Sequence, residues 1–223
     1  MAIQQPYFLP SFHYFQLINS VDQFIVFDDC AMKKKSFITR NFFGGKVKTD
    51  ITLNVNSLSQ NRALNAHFIS EKQGVFSKLR GGLKGEPFFD EAIEVIDQME
   101  MSRRLVELQT VAEFNRYSLE IICNLLKITT VFDSSSRIQY SQAASAENKI
   151  IDMCMRKSAS QYINLPNGRA LYNRNNFAAA GIDLKFIRTD LDQVFTDNSI
   201  IFLMAHFGLS KLRRLLDEVQ LDE

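Results

Sequence analysis

At 223 residues the chain is long enough for one sizeable core, and its 46% of apolar residues is ordinary for a globular protein. Its 26 Lys and Arg residues nearly balance 25 Asp and Glu, so the composition excludes the strong overall field of a typical nucleic-acid-binding or anionic-membrane-binding protein. The longest apolar run, 200–205, is far shorter than the ~20 residues that cross a bilayer, and the N-terminus lacks a signal-peptide pattern.

The cysteine pattern indicates a reduced compartment. Cys30, Cys123 and Cys154 are odd in number, far apart, and outside the spacings of metal ligands and redox motifs. We therefore expect the cysteines to be buried packing residues and the protein to be cytoplasmic.

The chain begins with a predicted βαβ unit. Residues 2–5 are predicted as a strand, 11–20 as a helix with an apolar face, and 23–27 as a second strand with aromatic and β-branched residues. Because a helical crossover makes the two strands parallel, their carboxyl ends lie at the same edge of the sheet. We therefore expect the loop 6–10 and the loop after Asp28 to face each other.

Strands and helices continue to interleave along the chain. Further strands are predicted at 50–55, 129–132, 161–165 and 183–187. Helices are predicted within 91–128, with a break near 102, and at 144–158, 198–206 and 210–219. The polar stretch 56–66 has few core candidates and is predicted as an excursion from the core. The strand 50–55 suits antiparallel pairing, and Ser210 suits an N-cap after the Gly208 break.

This order of elements predicts an α/β fold with a mixed, largely parallel sheet and a helical C-terminal half. We expect one domain over 1–223, and the pattern leaves open a smaller helical lobe around 56–128.

The loop after the first strand combines prolines with aromatic rings. Pro6 and Pro10 fix φ and remove amide donors, which stiffens the loop. Tyr7 and Phe8 suit stacking on a base or sugar ring, with Gln5 as a polar contact. The alternative is that both rings fill the core beneath the loop.

Asp28 and Asp29 end the second strand at the edge where α/β proteins usually collect ligands. Adjacent side chains of a strand point to opposite sides, so at most one of the two is expected to enter a crevice. The candidate roles are a catalytic base, a bond to sugar hydroxyls or a metal ligand. A turn or charge-pairing role is the alternative.

The following segment is the most basic part of the chain. Lys33 to Lys35 precede Arg40 and Asn41, which lie between Phe37 and Phe42. Lys34 and Arg40 are candidates for binding a diphosphate, Lys as a point charge and Arg bidentately. A solvated basic loop is the alternative.

Further candidates come from other elements. His13 lies on the helix that begins at the candidate site, and Asn115 stands on an apolar helical stripe, where a structural hydrogen-bond network is the alternative to substrate contact. Asn164, Arg169 and Tyr172 surround an Asn-Gly turn signal and are expected to form a second ligand-contacting loop, although a simple turn explains the Asn-Gly pair itself.

Common cofactor and metal motifs are absent from the sequence. No GxGxxG, GxxxxGK[ST] or HExxH pattern occurs, so we expect no metal site and identify no cofactor.

Taken together, the N-terminal motif and several later segments resemble the WbqC-like protein family. The resemblance is carried by 5–10, by Tyr14 to Ile18, by Asp22, by 27–29, by Lys34 and by Arg40-Asn41, with later agreement at Glu107-Leu108, Asn115, Ser135 or Ser136, 162–172 and Gly181-Ile182. It implies that Tyr14 and Asn41 also belong to the substrate-binding residues. The chain departs from the family pattern at His13, Phe37 and Phe42, where the family usually has Gly, Trp and a basic residue.

The resemblance implies a bacterial protein of O-antigen or other surface-polysaccharide biosynthesis. On this basis we expect a transferase that adds an acyl or aminoacyl group to a nucleotide-linked amino sugar, with Asp28 or Asp29 as the catalytic group. One alternative is a non-catalytic module that binds a sugar nucleotide. Another is a nucleotidyl- or adenylate-forming enzyme, because the start of the chain is faintly similar to nucleotidylyltransferase-like folds, although their HxGH signature is missing. The sequence does not identify the donor, the acceptor or the oligomeric state.

Overall fold

The computed structural model describes residues 1–32, 36–44, 49–102, 107–142 and 144–222. The strands in these ranges are β1 (Ala2–Gln4), β2 (Gln23–Val26), β3 (Arg40–Phe43), β4 (Thr49–Thr52), β5 (Asn54–Val55), β6 (Ile69–Glu71), β7 (Val131–Ser134), β8 (Gln161–Asn164), β9 (Asp183–Arg188) and β10 (Gln220–Asp222). The α-helices are α1 (Phe12–Asn19), α2 (Gln73–Gly82), α3 (Phe89–Glu100), α4 (Val111–Leu126), α5 (Ala146–Arg156), α6 (Arg174–Ala179), α7 (Gln193–Asp197), α8 (Ile200–Phe207) and α9 (Leu209–Leu215). Short 3-10 helices span Leu64–Ala66, Ser135–Arg137 and Pro166–Leu171.

The central sheet is largely parallel. β2 lies between β1 and β7 and pairs with both in parallel, while β9 pairs in parallel with β8 and antiparallel with β10. The Met1 amino group donates to the Gln161 carbonyl at 2.9 Å, and the Ile163 amide donates to the Met1 carbonyl at 2.9 Å. This alternation is that of a parallel ladder, so the two three-stranded sheets β1-β2-β7 and β8-β9-β10 adjoin through Met1 in the spatial order β7-β2-β1-β8-β9-β10.

The direction of winding reverses between β1 and β8, because the chain adds strands first on the β2 side and later on the β8 side. In open α/β sheets, ligands bind outside the carboxyl ends of the strands at such a switch point. Here those ends meet directly, since the Gln4 side-chain amide donates to the Asn164 side-chain oxygen.

Alternate strand residues enter two cores on opposite faces of the sheet. Ala2, Phe24 and Val26 belong to the larger core, and Ile3 and Ile25 belong to the smaller one. Burial on both faces is what parallel strands require. The larger core also includes apolar residues of α2, α3 and α4, so the interval 56–128 packs against the N-terminal unit.

The structure confirms the α/β class, the initial βαβ unit and the helical C-terminal half. The sequence predictions missed the strands β3, β6 and β10 and the helices α2, α6 and α7. They also placed the start of the last helix one residue late, because Gly208 and not Ser210 is the N-cap of α9. Gly208 has φ of 77°, and a Cβ there would lie 2.9 Å from the Phe88 ring, so glycine suits this close approach. None of the helices in the described ranges is long and apolar enough to span a membrane.

Candidate functional site

Two neighbouring pockets open at the carboxyl edge of the sheet. The aromatic crevice lies at the switch point, has a volume of about 440 Å³, and is lined by residues that include Tyr7, Tyr14, Phe37, Phe42, Asn167 and Asp197. The charged pocket lies beyond β2 and β7, has a volume of about 510 Å³, and is lined by residues that include Asp28, Asn65, Glu113, Arg116, Glu120 and Arg137. Both volumes fall within the ~300–1,000 Å³ of small-molecule sites.

A continuous row of rings forms one wall of the aromatic crevice. The Tyr7 ring centroid lies 5.6 Å from that of Tyr14 and 6.0 Å from that of Phe37, and Phe37 meets Phe42 edge-on at 6.5 Å. The Arg40 guanidinium carbon lies 5.1 Å from the Phe42 ring centroid. Phe37 is 50% exposed, so its ring is open to a ligand. This wall combines flat apolar faces with one adjacent positive charge.

Buried side-chain amides hold the loop 5–10 in place. The Asn41 side chain donates to the Phe8 carbonyl at 3.0 Å and to the Leu9 carbonyl at 2.7 Å, and the Asn115 side chain donates to the Pro6 carbonyl at 2.8 Å. Leu9 has φ of 44°, a left-handed conformation that such contacts help to maintain. The crevice wall is therefore preorganised by the fold.

The opposite side of the crevice follows β8. The Asn164 side-chain oxygen accepts from the Leu165 amide at 2.7 Å as well as from Gln4. A Cβ on Gly168 would lie 2.6 Å from the Asn164 side-chain nitrogen. Glycine therefore allows the turn after β8 to pack this closely against the Asn164 side chain. The turn places Asn167 in the crevice.

Asp28, which lines the charged pocket, and its neighbour Asp29 are both hydrogen-bonded to residues after β7. Asp28 accepts from the Ser136 amide at 3.0 Å and from the Ser136 hydroxyl at 2.8 Å. Asp29 accepts from the Tyr140 hydroxyl at 2.9 Å, and the single hydrogen of the Ser135 hydroxyl is shared between Asp28 and Asp29. Burial, with the Asp29 hydrogen bond, raises the pKa of Tyr140, so Tyr140 remains a proton donor at neutral pH.

Comparison with known protein families shows which family this chain belongs to. A model of the WbqC-like protein family matches residues 5–211, nearly the whole chain. The chain belongs to the WbqC-like protein family. Neither the curated proteins nor the solved structures contain a match to it. Membership of the WbqC-like family is consistent with a place in O-antigen-associated biosynthesis.

Three of the residues predicted for substrate binding line the crevice of this WbqC-like chain. They are Tyr7, Tyr14 and Asn41, and Arg40 adjoins them through Phe42. Tyr14 is 1% exposed, its hydroxyl donates to the Gln5 carbonyl at 2.7 Å, and burial raises its pKa. It therefore supports the wall from behind.

Phe8 and Asn115, both predicted as substrate-binding residues with an interior role as the alternative, lie in the interior of the protein. Phe8 is 1% exposed and packs 6.2 Å from the Phe114 ring, so it belongs to the core and has no open face for stacking. Asn115 is fully buried, and its amide donates to the Pro6 and Ile38 carbonyls. Of the two alternatives for Asn115, the structural network is the one observed.

Arg169 and Tyr172, predicted as part of a second ligand-contacting loop, lie outside the lining of the aromatic crevice. The Arg169 guanidinium stacks 4.7 Å from the Phe186 ring centroid and donates to Asp222 at 3.3 Å. Tyr172 packs edge-on to the rings of Tyr162 and Phe177 in the smaller core.

The remaining candidates occupy supporting positions or lie elsewhere. The Gln5 amide donates to the Cys30 sulfur at 3.1 Å, which joins the two facing loops. His13 is half-buried on α1 outside the crevice lining, and burial lowers its pKa below the ordinary 6.5. Lys34 lies outside the described residues.

Sequence reasoning missed several lining residues. Phe37 and Phe42 were noted as the aromatics on either side of Arg40-Asn41 and as departures from the family pattern, but not as ligand-binding residues, and Asn167 was noted only as part of a turn. Glu113, Arg116 and Glu120 repeat at helical spacing on α4, a signal that an ordinary solvated face also produces. Within the described ranges, no group of three His, Cys, Asp or Glu side chains is arranged to hold a metal ion.

Proposed function

We propose that this protein binds a nucleotide-linked sugar in the aromatic crevice and transfers an acyl or aminoacyl group to the amine of that sugar during bacterial surface-polysaccharide assembly. The observation that carries the proposal is the wall of rings at the switch point between β1 and β8. The family membership supports the pathway, and the crevice supports the class of ligand.

The crevice suits a ring with polar edges. Tyr7 and Phe37 offer faces for a base or a sugar ring, while Asn167 and Asp197 line the same space with hydrogen-bonding groups. Aromatic faces with a few convergent polar groups are typical of such sites.

In this proposal, the diphosphate of the nucleotide-linked sugar binds at the start of α1 and at Arg40. Ser11 lines the crevice and its side chain makes no capping hydrogen bond, so the positive end of the eight-residue helix faces the same space. Within the described ranges, Arg40 forms no salt bridge, which leaves its guanidinium available for a phosphate. Lys34 remains a prediction from the sequence.

For the transfer step, Asp28 is the better placed of the two predicted catalytic carboxylates, because it lines the charged pocket at the same sheet edge. It would orient or deprotonate the acceptor amine. Asp28→Asn is expected to leave nucleotide-sugar affinity unchanged and to abolish turnover. Turnover that survives in both Asp28→Asn and Asp29→Asn would contradict this assignment.

One observation favours the second candidate, a non-catalytic sugar-nucleotide-binding module. The Ser136 amide and hydroxyl both donate to the Asp28 carboxylate, as expected for a group with a purely structural role. Tight ligand binding without product formation, with acyl and aminoacyl donors supplied, would select this candidate.

We also assign the reaction to the cytoplasm. Cys30, Cys123 and Cys154 are all unpaired, which supports a reducing compartment.

The ligand class is tested by thermal-shift and calorimetric titrations with UDP-, dTDP- and GDP-linked sugars. A ligand at 100 times its Kd raises the unfolding free energy by about 2.7 kcal/mol. Phe37→Ala is expected to weaken binding about tenfold, because stacking on one ring contributes roughly 1–3 kcal/mol. Phe68→Ala is the matched control, since Phe68 is 51% exposed and lies outside the crevice lining. The proposal would be overturned if no nucleotide sugar raised the melting temperature or bound in calorimetry. It would also be overturned if Phe37→Ala and Phe68→Ala changed the binding affinity equally.

A further inference from the structure

The charged pocket contains more polar groups than the proposed nucleotide-sugar site explains. It is as large as a small-molecule site and is lined by α4 on one side and by the ends of β2 and β7 on the other. Its lining includes three carboxylates, those of Asp28, Glu113 and Glu120, and two guanidinium groups, those of Arg116 and Arg137. A site with both signs of charge suits a ligand that also carries both.

The positive side of the charged pocket has unused hydrogen-bond donors. Arg116 donates from Nε to Glu120 at 2.8 Å, from one terminal nitrogen to the Ser134 hydroxyl at 2.7 Å, and from the other to the Phe132 carbonyl at 3.4 Å. A guanidinium has five N–H groups, so two remain. Arg137 is exposed and forms no hydrogen bond or ion pair within the described ranges. Together the two arginines can clamp a carboxylate.

Ser134 extends this positive side. Its hydroxyl oxygen accepts from Arg116, and no acceptor among the described residues takes its hydrogen. It is only 6% exposed, so an unused hydroxyl here is available to a ligand that enters the pocket.

The negative side is Glu113, at the first turn of α4. One carboxylate oxygen accepts from the Thr110 amide at 2.9 Å and from the Gln109 amide at 3.0 Å. Burial alone would raise the pKa of Glu113, but these amides and the nearby Lys72 outweigh it and lower the pKa. Glu113 is therefore ionised at neutral pH, and its carboxylate lines the charged pocket.

We propose that the charged pocket binds a free α-amino acid. The α-carboxylate lies between Arg116 and Arg137, and the α-ammonium faces the Glu113 carboxylate. The pattern of charge favours this ligand over a simple anion, because the lining presents carboxylates as well as guanidinium groups. A phosphate is repelled by the Asp28 and Glu113 carboxylates, whereas a zwitterion offers its ammonium group to Glu113.

This site does not depend on the nucleotide-sugar site.

The test is calorimetry on the full chain at neutral pH with the twenty standard L-amino acids. Propionate, which lacks the ammonium group, ethylamine, which lacks the carboxylate, and inorganic phosphate serve as comparison ligands. At least one amino acid is expected to bind at least tenfold more tightly than each of the three.

Two variants locate the site. Arg137→Gln is expected to weaken amino-acid binding about tenfold, while Arg214→Gln, at an exposed arginine of α9 outside the pocket, leaves it unchanged. Glu113→Gln preserves the side-chain acceptor of the helix cap and removes only the charge. It is therefore expected to weaken binding of the amino acid and to leave binding of propionate unchanged.

Three results would overturn the inference: no amino acid that binds at millimolar concentration, tighter binding of phosphate than of every amino acid, or unchanged affinity in both pocket variants. Failure of the nucleotide-sugar proposal is a separate outcome, because Phe37→Ala is expected to change only nucleotide-sugar binding and Arg137→Gln only amino-acid binding.

Discussion

The two pockets at the carboxyl edge are constructed in different ways. The aromatic crevice consists of rings on loops, and buried amides such as Asn41 hold those loops in one conformation. The charged pocket consists of side chains on the regular helix α4 and on a hydrogen-bonded turn after β7. A loop site therefore depends on the interior for its shape, whereas a helix-face site depends mainly on the charges it presents.

Helix α4 contributes to both pockets from different faces. Asn115 points into the interior and holds the crevice loop, while Glu113, Arg116 and Glu120 face the charged pocket. Substitutions on this one helix can therefore separate the two sites.

The largest expected effect is that of Phe8→Ala. Removing this buried ring is expected to lower the unfolding free energy by about 3–5 kcal/mol, because it leaves a cavity against Phe114. Urea denaturation measures the loss, and Phe37→Ala is the control, with a change within about 0.5 kcal/mol. If Phe8→Ala instead kept full stability and lost only ligand binding, Phe8 would belong to the crevice.

Asn115→Ala is expected to lower the unfolding free energy by roughly 2–4 kcal/mol, because it leaves the buried Pro6 and Ile38 carbonyls without their hydrogen-bond donor. At temperatures where the variant is folded, nucleotide-sugar affinity is expected to fall and amino-acid affinity to remain. Ser118→Ala is the control on the same helix, since its hydroxyl donates only to the Phe114 carbonyl one turn earlier. Equal loss at both pockets would contradict the separation of the two faces of α4.

Thr110→Ala is expected to lower the unfolding free energy by about 1 kcal/mol. Thr110 forms a capping box with Glu113, and its loss frees the first turn of α4 beside the charged pocket. Thr110→Ser retains the hydroxyl and serves as the control. Nucleotide-sugar binding that dropped in Thr110→Ala but not in Thr110→Ser would show that the two pockets are coupled.

The smallest expected effect is a change in pH dependence. Because the pKa of Glu113 is lowered in the folded state, its stabilising contribution is full above the unfolded value of about 4.3 and disappears as pH falls through the lower folded value. Melting temperatures between about pH 6 and 3 are expected to fall less steeply in Glu113→Gln than in the unchanged protein. If the melting temperatures of Glu113→Gln and of the unchanged protein fell equally over this pH range, Glu113 would contribute nothing to the acid sensitivity of the fold.

The fold was more predictable from sequence than the site. The βαβ start and the breaks at Gly181 and Gly208 follow from local periodicity and backbone preference, which a single sequence displays directly. The facing of the two N-terminal loops was also predictable, because parallel strands place their carboxyl ends together, and the contact between Gln5 and Cys30 confirms it.

Individual side chains were less predictable, because their burial depends on residues far away in the chain. Tyr7 and Phe8 are adjacent aromatics, yet Tyr7 lines the crevice while Phe8 packs against Phe114. Likewise, Arg169 turns toward Phe186 and Asp222, so its direction is decided by β9 and β10 and not by the Asn-Gly turn beside it.

By itself the sequence determined the α/β class, the family and the stiff aromatic N-terminal loop, since hydrophobic period and proline geometry are local properties. Only the tertiary structure decided that β8 joins β1, that their junction is the switch point, and that the charged face of α4 closes a pocket with the turn after β7. The physical reason is that these arrangements arise from hydrogen bonds and packing between segments more than a hundred residues apart, such as Gln4 with Asn164 and Asp28 with Ser135.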